Sequence, residues 1–91
     1  MMRFEWDERK NLLNIRNHKI DFRDVPIVFQ GPMLIDLDDR EDYGEDRWTG
    51  IGMLRDIPVV IVFTERDQDG LRLISARKAN QNERKRYEQH F

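Results

Sequence analysis

Cysteine is absent from the 91 residues, and histidine occurs only as His18 and His90. A chain without thiols has no disulfide framework and no thiolate zinc site, which fits a reducing cytoplasm. No apolar run approaches the roughly 20 residues of a bilayer span. Met1-Met2-Arg3 leads directly into charged sequence, without the apolar core of a signal peptide, so no membrane association is expected. Repeats, low-complexity tracts and linkers are also missing. Residues 1–91 are too few for two independent cores, and a single domain is expected.

Charge is what the chain has in quantity. Charged residues make up 37% and apolar residues 38%, which implies a thin core under a heavily charged surface. The net charge of −2 hides a strong polarity. Residues 36–46 hold Asp36, Asp38, Asp39, Glu41, Asp42, Glu45 and Asp46 against Arg40 alone. Residues 72–86 hold Arg72, Arg77, Lys78, Arg84, Lys85 and Arg86 against Glu83 alone. A basic region of this kind suits a polyanion or an acidic partner. The acidic stretch gathers hard oxygen ligands but lacks the spacing and glycine position of a calcium loop. Neither a metal nor a cofactor is expected.

Local patterns predict the elements. Phe4-Glu5-Trp6 is a short extended start, and Asp7 caps a helix from Glu8 to about Asn17. Asp21, with Asp24 in the first turn, opens a second helix that either kinks at Pro26 or starts late with Asp24 as its cap. Phe22, Val25, Val28 and Phe29 share one face in both versions, and Gly31-Pro32 ends the segment. Strands follow at Met33–Leu37, Arg47–Met53, 59–65 and 71–77, with Asp38–Asp46 as an acidic turn-rich connection. Trp48, Gly50 and Gly52 fall on one face, where glycine permits a bend or a close approach. Asn80 and Glu83 form a capping pattern for a last helix over 81–90. The expected fold class is α+β: two N-terminal helices, a four-stranded antiparallel β meander and a C-terminal helix.

Val59–Arg66 and Leu71–Lys78 flank Asp67-Gln68-Asp69-Gly70, which has hairpin turn chemistry. The hairpin ends and the strand-to-helix corner are expected to bring Arg66, Arg72, Arg77 and Lys78 near one region of surface.

Several motifs together resemble a known family. They are Phe4-Glu5-Trp6-Asp7 with Lys10 and Asn14, Asn17-His18 before Asp21-Phe22, and Tyr43-Gly44-Glu45-Asp46-Arg47-Trp48 with Ile51-Gly52. Phe63-Thr64-Glu65-Arg66 and Ile74-Ser75-Ala76-Arg77-Lys78-Ala79 through Glu83-Arg84-Tyr87-Glu88 complete the set. In this combination the chain resembles the BrnT toxins of bacterial type II toxin–antitoxin systems. Lys19 stands where similar chains usually have glycine, and Pro26 where they commonly have a small or acidic residue. The resemblance implies a RelE-like fold and metal-independent RNA cleavage that inhibits translation. It also implies neutralisation by a BrnA-like ribbon-helix-helix antitoxin, through which the pair would reach operator DNA. The alternative is a catalytically inactive binding module that acts as corepressor with its antitoxin.

Such cleavage needs a base for the 2′-hydroxyl, an acid for the leaving 5′-oxygen and cations for the phosphate. The expected catalytic set is His18, Arg47, Arg66 and Arg77, with arginine favoured for its two-pronged grip on phosphate. The expected RNA contacts are Lys19, Arg72, Lys78, Arg84 and Tyr87. His18 also suits a helix C-terminal cap, and Tyr87 suits either base stacking or packing. Glu45 and Glu65 serve as general base or orient Arg47 and Arg66. An acidic or amphipathic antitoxin segment is expected to cover Arg77, Lys78 and the last helix.

Overall fold

The computed structural model describes residues 2–39 and 44–91. The middle of the acidic connection, with Tyr43, lies outside the described residues. The elements are β1 (Arg3–Glu5), α1 (Glu8–His18), a 3₁₀ segment (Phe22–Gln30), β2 (Leu34–Asp38), β3 (Arg47–Leu54), β4 (Ile57–Glu65), β5 (Gly70–Lys78) and α2 (Gln81–His90). The fold is α+β, and its sheet has five strands in the order β1-β5-β4-β3-β2.

This corrects the expected four-stranded antiparallel meander. Phe4-Glu5 is not merely an extended lead-in: β1 joins the sheet parallel to β5, with Phe4 opposite Leu71. The sheet is therefore mixed. Three residues carry no readable period, and their partner lies more than sixty positions away, so local pattern could not place them.

The second N-terminal helix is corrected as well. Asp21 caps it, accepting from the Arg23 amide at 3.0 Å, but the segment winds as 3₁₀ rather than α. Phe22, Val25 and Val28 are its buried residues. At three residues per turn these positions stack into one stripe, and Pro26, which cannot donate an α-helical bond, sits between them. The stripe lies on β3, where Gly52 makes the approach possible: a Cβ there would stand 2.6 Å from Val28 Cγ1. A Cβ on Gly50 would likewise meet Met33 Cε at 2.6 Å. The glycines serve close approach.

The sheet has two unequal faces. On one, Phe22, Val25 and Val28 pack with Val59, Ile61, Phe63, Leu73 and Ala76 to form the main core. Phe29 extends it, edge-on to Phe63 with ring centroids 5.2 Å apart. On the other face Tyr87 of α2 packs against Ile51 and Val60 in a small second cluster. Its hydroxyl donates to the Pro32 carbonyl at 3.0 Å. Among the described residues no helix is long and apolar enough to cross a membrane.

Helix α1 inverts the usual pattern. Leu12 and Leu13 are 67% and 55% exposed, while Asn11 and Asn14 are buried. Both asparagines replace missing backbone partners. Asn14 Nδ2 donates to the carbonyls of Ile20 and Ala76, each at 2.9 Å, and its Oδ1 accepts from the Ala76 amide at 3.0 Å. Ala76 lies on the stretch of β5 beyond β1, which pairs only with Gly70–Arg72. Asn11 Oδ1 accepts from the Phe22 amide at 2.8 Å, and its Nδ2 donates to Asp21 at 3.0 Å.

Replacing Asn14 by leucine keeps the branched heavy-atom skeleton but orphans an amide and two carbonyls in the interior. Unsatisfied buried groups cost about 1–3 kcal/mol each, and partial relaxation should leave a loss of about 3 kcal/mol in urea unfolding. Leu13→Ala, on the exposed side of the same helix, should change stability by less than about 0.5 kcal/mol.

Candidate functional site

The α2 face of the sheet carries most of the polar chemistry. Cross-strand register sets Asp38, Arg47, Thr64 and Arg72 in one row across β2, β3, β4 and β5. Asp36, Thr49, Val62 and Ser75 form the next row. Alternation alone would put Arg72 and Arg77, five positions apart, on opposite faces. A bulge prevents this. The register steps from Val62–Ser75 to Phe63–Leu73, leaving Ile74 as the extra residue. Parity changes across it, and both arginines stand on the α2 face.

Acids hold the cations of this face in place. Arg66 lies 3.3 Å from Glu5 and 3.5 Å from Glu45, and Arg72 lies 3.5 Å from the same Glu5. Glu45 thus orients Arg66, one of the two roles expected for it. Arg77 donates two hydrogen bonds to Glu83, both at 2.8 Å. Glu83 also accepts from the Asn80 amide within the capping box of α2. Arg86 meets Asp36 at 2.8 Å, linking α2 to β2. Between these pairs lies a trough of about 330 Å³, floored by Thr49, Val62 and Ser75.

The four expected catalytic residues do not converge. Arg47 and Arg66 belong to the Thr64 end of the sheet, and Arg47 directly faces Thr64 in register. Arg77 stands five residues from Arg72, about 16 Å along an extended strand. His18 is the exposed last residue of α1. Lys19 follows it with φ 62° and closes the helix, and its ammonium donates to the Arg16 carbonyl at 3.2 Å. Lys19 and Lys78 share a cavity of about 390 Å³ with Arg55, Asp24 and Asp56, at the β3–β4 turn. The cations of the hairpin and corner therefore form two groups. Arg66 and Arg72 meet at Glu5, while Lys78 lies with Lys19 at the other end.

Arg84 is exposed on α2, beside a cavity that also involves Lys85 and Glu88. Tyr87 is buried as the anchor of that helix. Two participants escaped sequence reasoning. Glu5 bridges Arg66 and Arg72 only because β1 joins the sheet. Thr64 is 1% exposed, and its hydroxyl has no hydrogen-bond partner among the described residues. Alternation in Phe63-Thr64-Glu65-Arg66 already placed Thr64 on the side of Arg66.

Comparison with known proteins adds to this geometry. Residues 6–83 match the model of a family described as the ribonuclease toxin BrnT of type II toxin–antitoxin systems. The chain belongs to the BrnT toxin family. Its structure also resembles the crystal structure of the Brucella abortus ribonuclease toxin BrnT, with a TM-score of 0.70 and 29% sequence identity. That match covers 89% of this chain and 100% of the other. No curated protein matches the sequence. Membership implies an antitoxin partner and a nuclease-type activity at the level of the family. Most of the residues that carried the resemblance fall within the matched span.

The Arg77–Glu83 pair has a consequence in acid. The two hydrogen bonds from Arg77 hold the Glu83 carboxyl below the ordinary value of 4.5, with the Asn80 amide adding to the effect against partial burial. A depressed folded-state pKa contributes stability above the unfolded value and loses it as pH falls through the folded value. Unfolding free energy should therefore drop as pH falls below about 4.5, and Glu83→Gln should flatten that slope. Denaturant titrations between neutral pH and acid check this.

Proposed function

We propose that this BrnT family member is a ribonuclease toxin that holds RNA on the α2 face of its sheet. In this reading it cleaves RNA without a metal, inhibits translation in the cytoplasm, and is neutralised by a BrnA-like ribbon-helix-helix antitoxin. Contact with operator DNA comes only through that antitoxin. One observation carries the reading: Arg47 and Arg72 flank the buried Thr64 in register, and Arg66 meets Arg72 at Glu5 on the same sheet face.

In metal-independent cleavage the 2′-oxygen attacks the adjacent phosphorus, and the bond to the 5′-oxygen breaks. A proton leaves the first oxygen and another reaches the second. Negative charge builds on the non-bridging oxygens between these events, and fixed donors aimed there lower the barrier. Arg47 and Arg72 flank Thr64 across two strand spacings, about 10 Å apart at the backbone, a span that side chains from both sides can close on one phosphate. Glu5 and Glu45 hold Arg66 and Arg72 in position until phosphate replaces them. Arg77, farther along β5, grips a neighbouring phosphate. Arg84, on α2, is a flanking contact, whereas His18, Lys19 and Lys78 stand at the α1 end and lie outside this reading of the RNA path.

The same ion pairs favour the second reading, a corepressor without nuclease activity, because they offset the cations of this face. Expression without antitoxin separates the two. A nuclease arrests growth and degrades message, and an inactive binding module does neither.

The arginine assignments give distinct expectations. Arg66→Ala should lower the cleavage rate on the order of 10²-fold, and Arg66→Lys should restore only part of it, because a point charge lacks the planar fork. Arg77→Ala should weaken RNA binding more than it slows the bound reaction. Single-turnover cleavage across a range of enzyme concentrations resolves both. Full activity in Arg47→Ala, Arg66→Ala and Arg72→Ala variants would move the site elsewhere.

A further inference from the structure

The sheet face that carries α1 and the 3₁₀ segment is incompletely covered. Toward β2 the cover stops, and Ile35 and Leu37 are 46% and 48% exposed. Ile35 joins Met2, Phe29, Trp48 and Leu71 around an apolar groove of about 260 Å³. Leu37, opposite Trp48 in register, is the next exposed apolar residue of β2. Among the described residues β2 is the last strand, and no other described strand pairs with its outer side. Edge strands in monomeric proteins are usually blunted by lysine, proline or a covering loop. In β2 the apolar Ile35 and Leu37 alternate with Asp36 and Asp38, so the strand is charged on the α2 face and apolar on the other.

The rim of the groove is acidic. Glu65 lines it, and the register that aligns Asp38, Arg47 and Thr64 brings the exposed Asp39 and Asp46 to the same end of the sheet. Two copies joined through this face would set like carboxylates against one another, which is unfavourable. An apolar segment flanked by cations meets both the groove and its rim. By contrast, the cavity beside α2 is polar, lined by Gln81, Arg84, Lys85 and Glu88 with Ala79.

We propose that the antitoxin docks here, through an extended apolar segment with flanking lysine or arginine that lies along β2 and fills the groove. Addition of a strand to an open edge supplies backbone hydrogen bonds, and the pockets for alternate side chains supply selectivity. The proposal rests on the toxin–antitoxin part of the reading above and is independent of the nuclease part. It places the antitoxin on the face opposite the arginines, away from the basic helix that the sequence alone favoured.

The test uses the full chain and its purified cognate antitoxin. Ile35→Lys with Leu37→Lys should weaken binding in calorimetry on the order of 30-fold or more, the scale of losing central interface contacts. Toxicity without antitoxin should be unchanged. Amides of residues 34–38 should exchange more slowly in the complex. If the lysine pair unfolds the chain, Ile35→Ser with Leu37→Ser gives the same comparison at lower cost in stability. Unchanged affinity in these variants, or loss of binding only on Arg84→Glu with Lys85→Glu, would overturn the proposal. So would sedimentation showing a dimer of the chain that these β2 substitutions dissociate while antitoxin affinity is kept. A chain that never arrests growth but binds antitoxin through β2 would sink the nuclease reading and leave this one standing.

Discussion

The carboxamide of Asn14 is the joint on which the architecture turns. It sits inside the protein and closes on both backbone groups of Ala76, taking the place of a strand that β1 is too short to provide. Its third bond, to the Ile20 carbonyl, fixes where the chain leaves α1 for the 3₁₀ segment. A buried amide with every bond satisfied rigidifies its surroundings, whereas a partly satisfied one is costly. Asn11 repeats the device one helical turn earlier by receiving the Phe22 amide. Two polar side chains thus hold a helix whose leucines point away from the sheet. The usual relation, in which apolar burial decides a helix's orientation, is here subordinate to hydrogen-bond satisfaction.

A second constraint is the bulge at Ile74. One extra residue in β5 lets Leu71, Leu73 and Ala76 all reach the main core while Arg72, Ser75 and Arg77 all face α2. Without it, half the strand would present arginine to the core or alanine to solvent. Bulges bend and twist the strand that carries them, and this one lies beneath the trough between β2 and α2. The core and the charged face therefore share a single irregularity.

The charge asymmetry of the chain is resolved by pairing across elements. Glu5 of β1 meets Arg66 and Arg72, Asp36 of β2 meets Arg86 of α2, and Glu83 of α2 meets Arg77 of β5. Exposed pairs of this type contribute little to stability individually. Their value is positional, because each holds a guanidinium over the sheet rather than free in solvent. The opposite face contributes an apolar groove with an acidic rim, so the molecule presents two chemically different surfaces back to back.

Much of this was legible along the chain, wherever the determinant was local. Asp7 and Asn80 announced their helices because a capping side chain acts on backbone groups two or three positions away. The β4–β5 hairpin followed from Asp67-Gln68-Asp69-Gly70, and the Phe22, Val25, Val28 face from its spacing. The combination of motifs pointed to the BrnT toxins, as the matched family model bears out. Pairings across long stretches of chain were not legible. Phe4-Glu5 became a parallel strand, and Glu5 became the partner of two arginines, only because folding brought Gly70–Arg72 alongside. The parity of Arg72 and Arg77 depended on a register step that no repeat records. Pro26 left the second helix with two readings, a kink or a late start at Asp24, and the folded chain adopts neither: the segment is capped by Asp21 and winds as 3₁₀. The sequence by itself determined which residues start and stop elements and which family they serve, since those signals act over a few residues. Tertiary structure alone decided which cations share a face and which apolar residues remain uncovered, because both depend on register between distant strands.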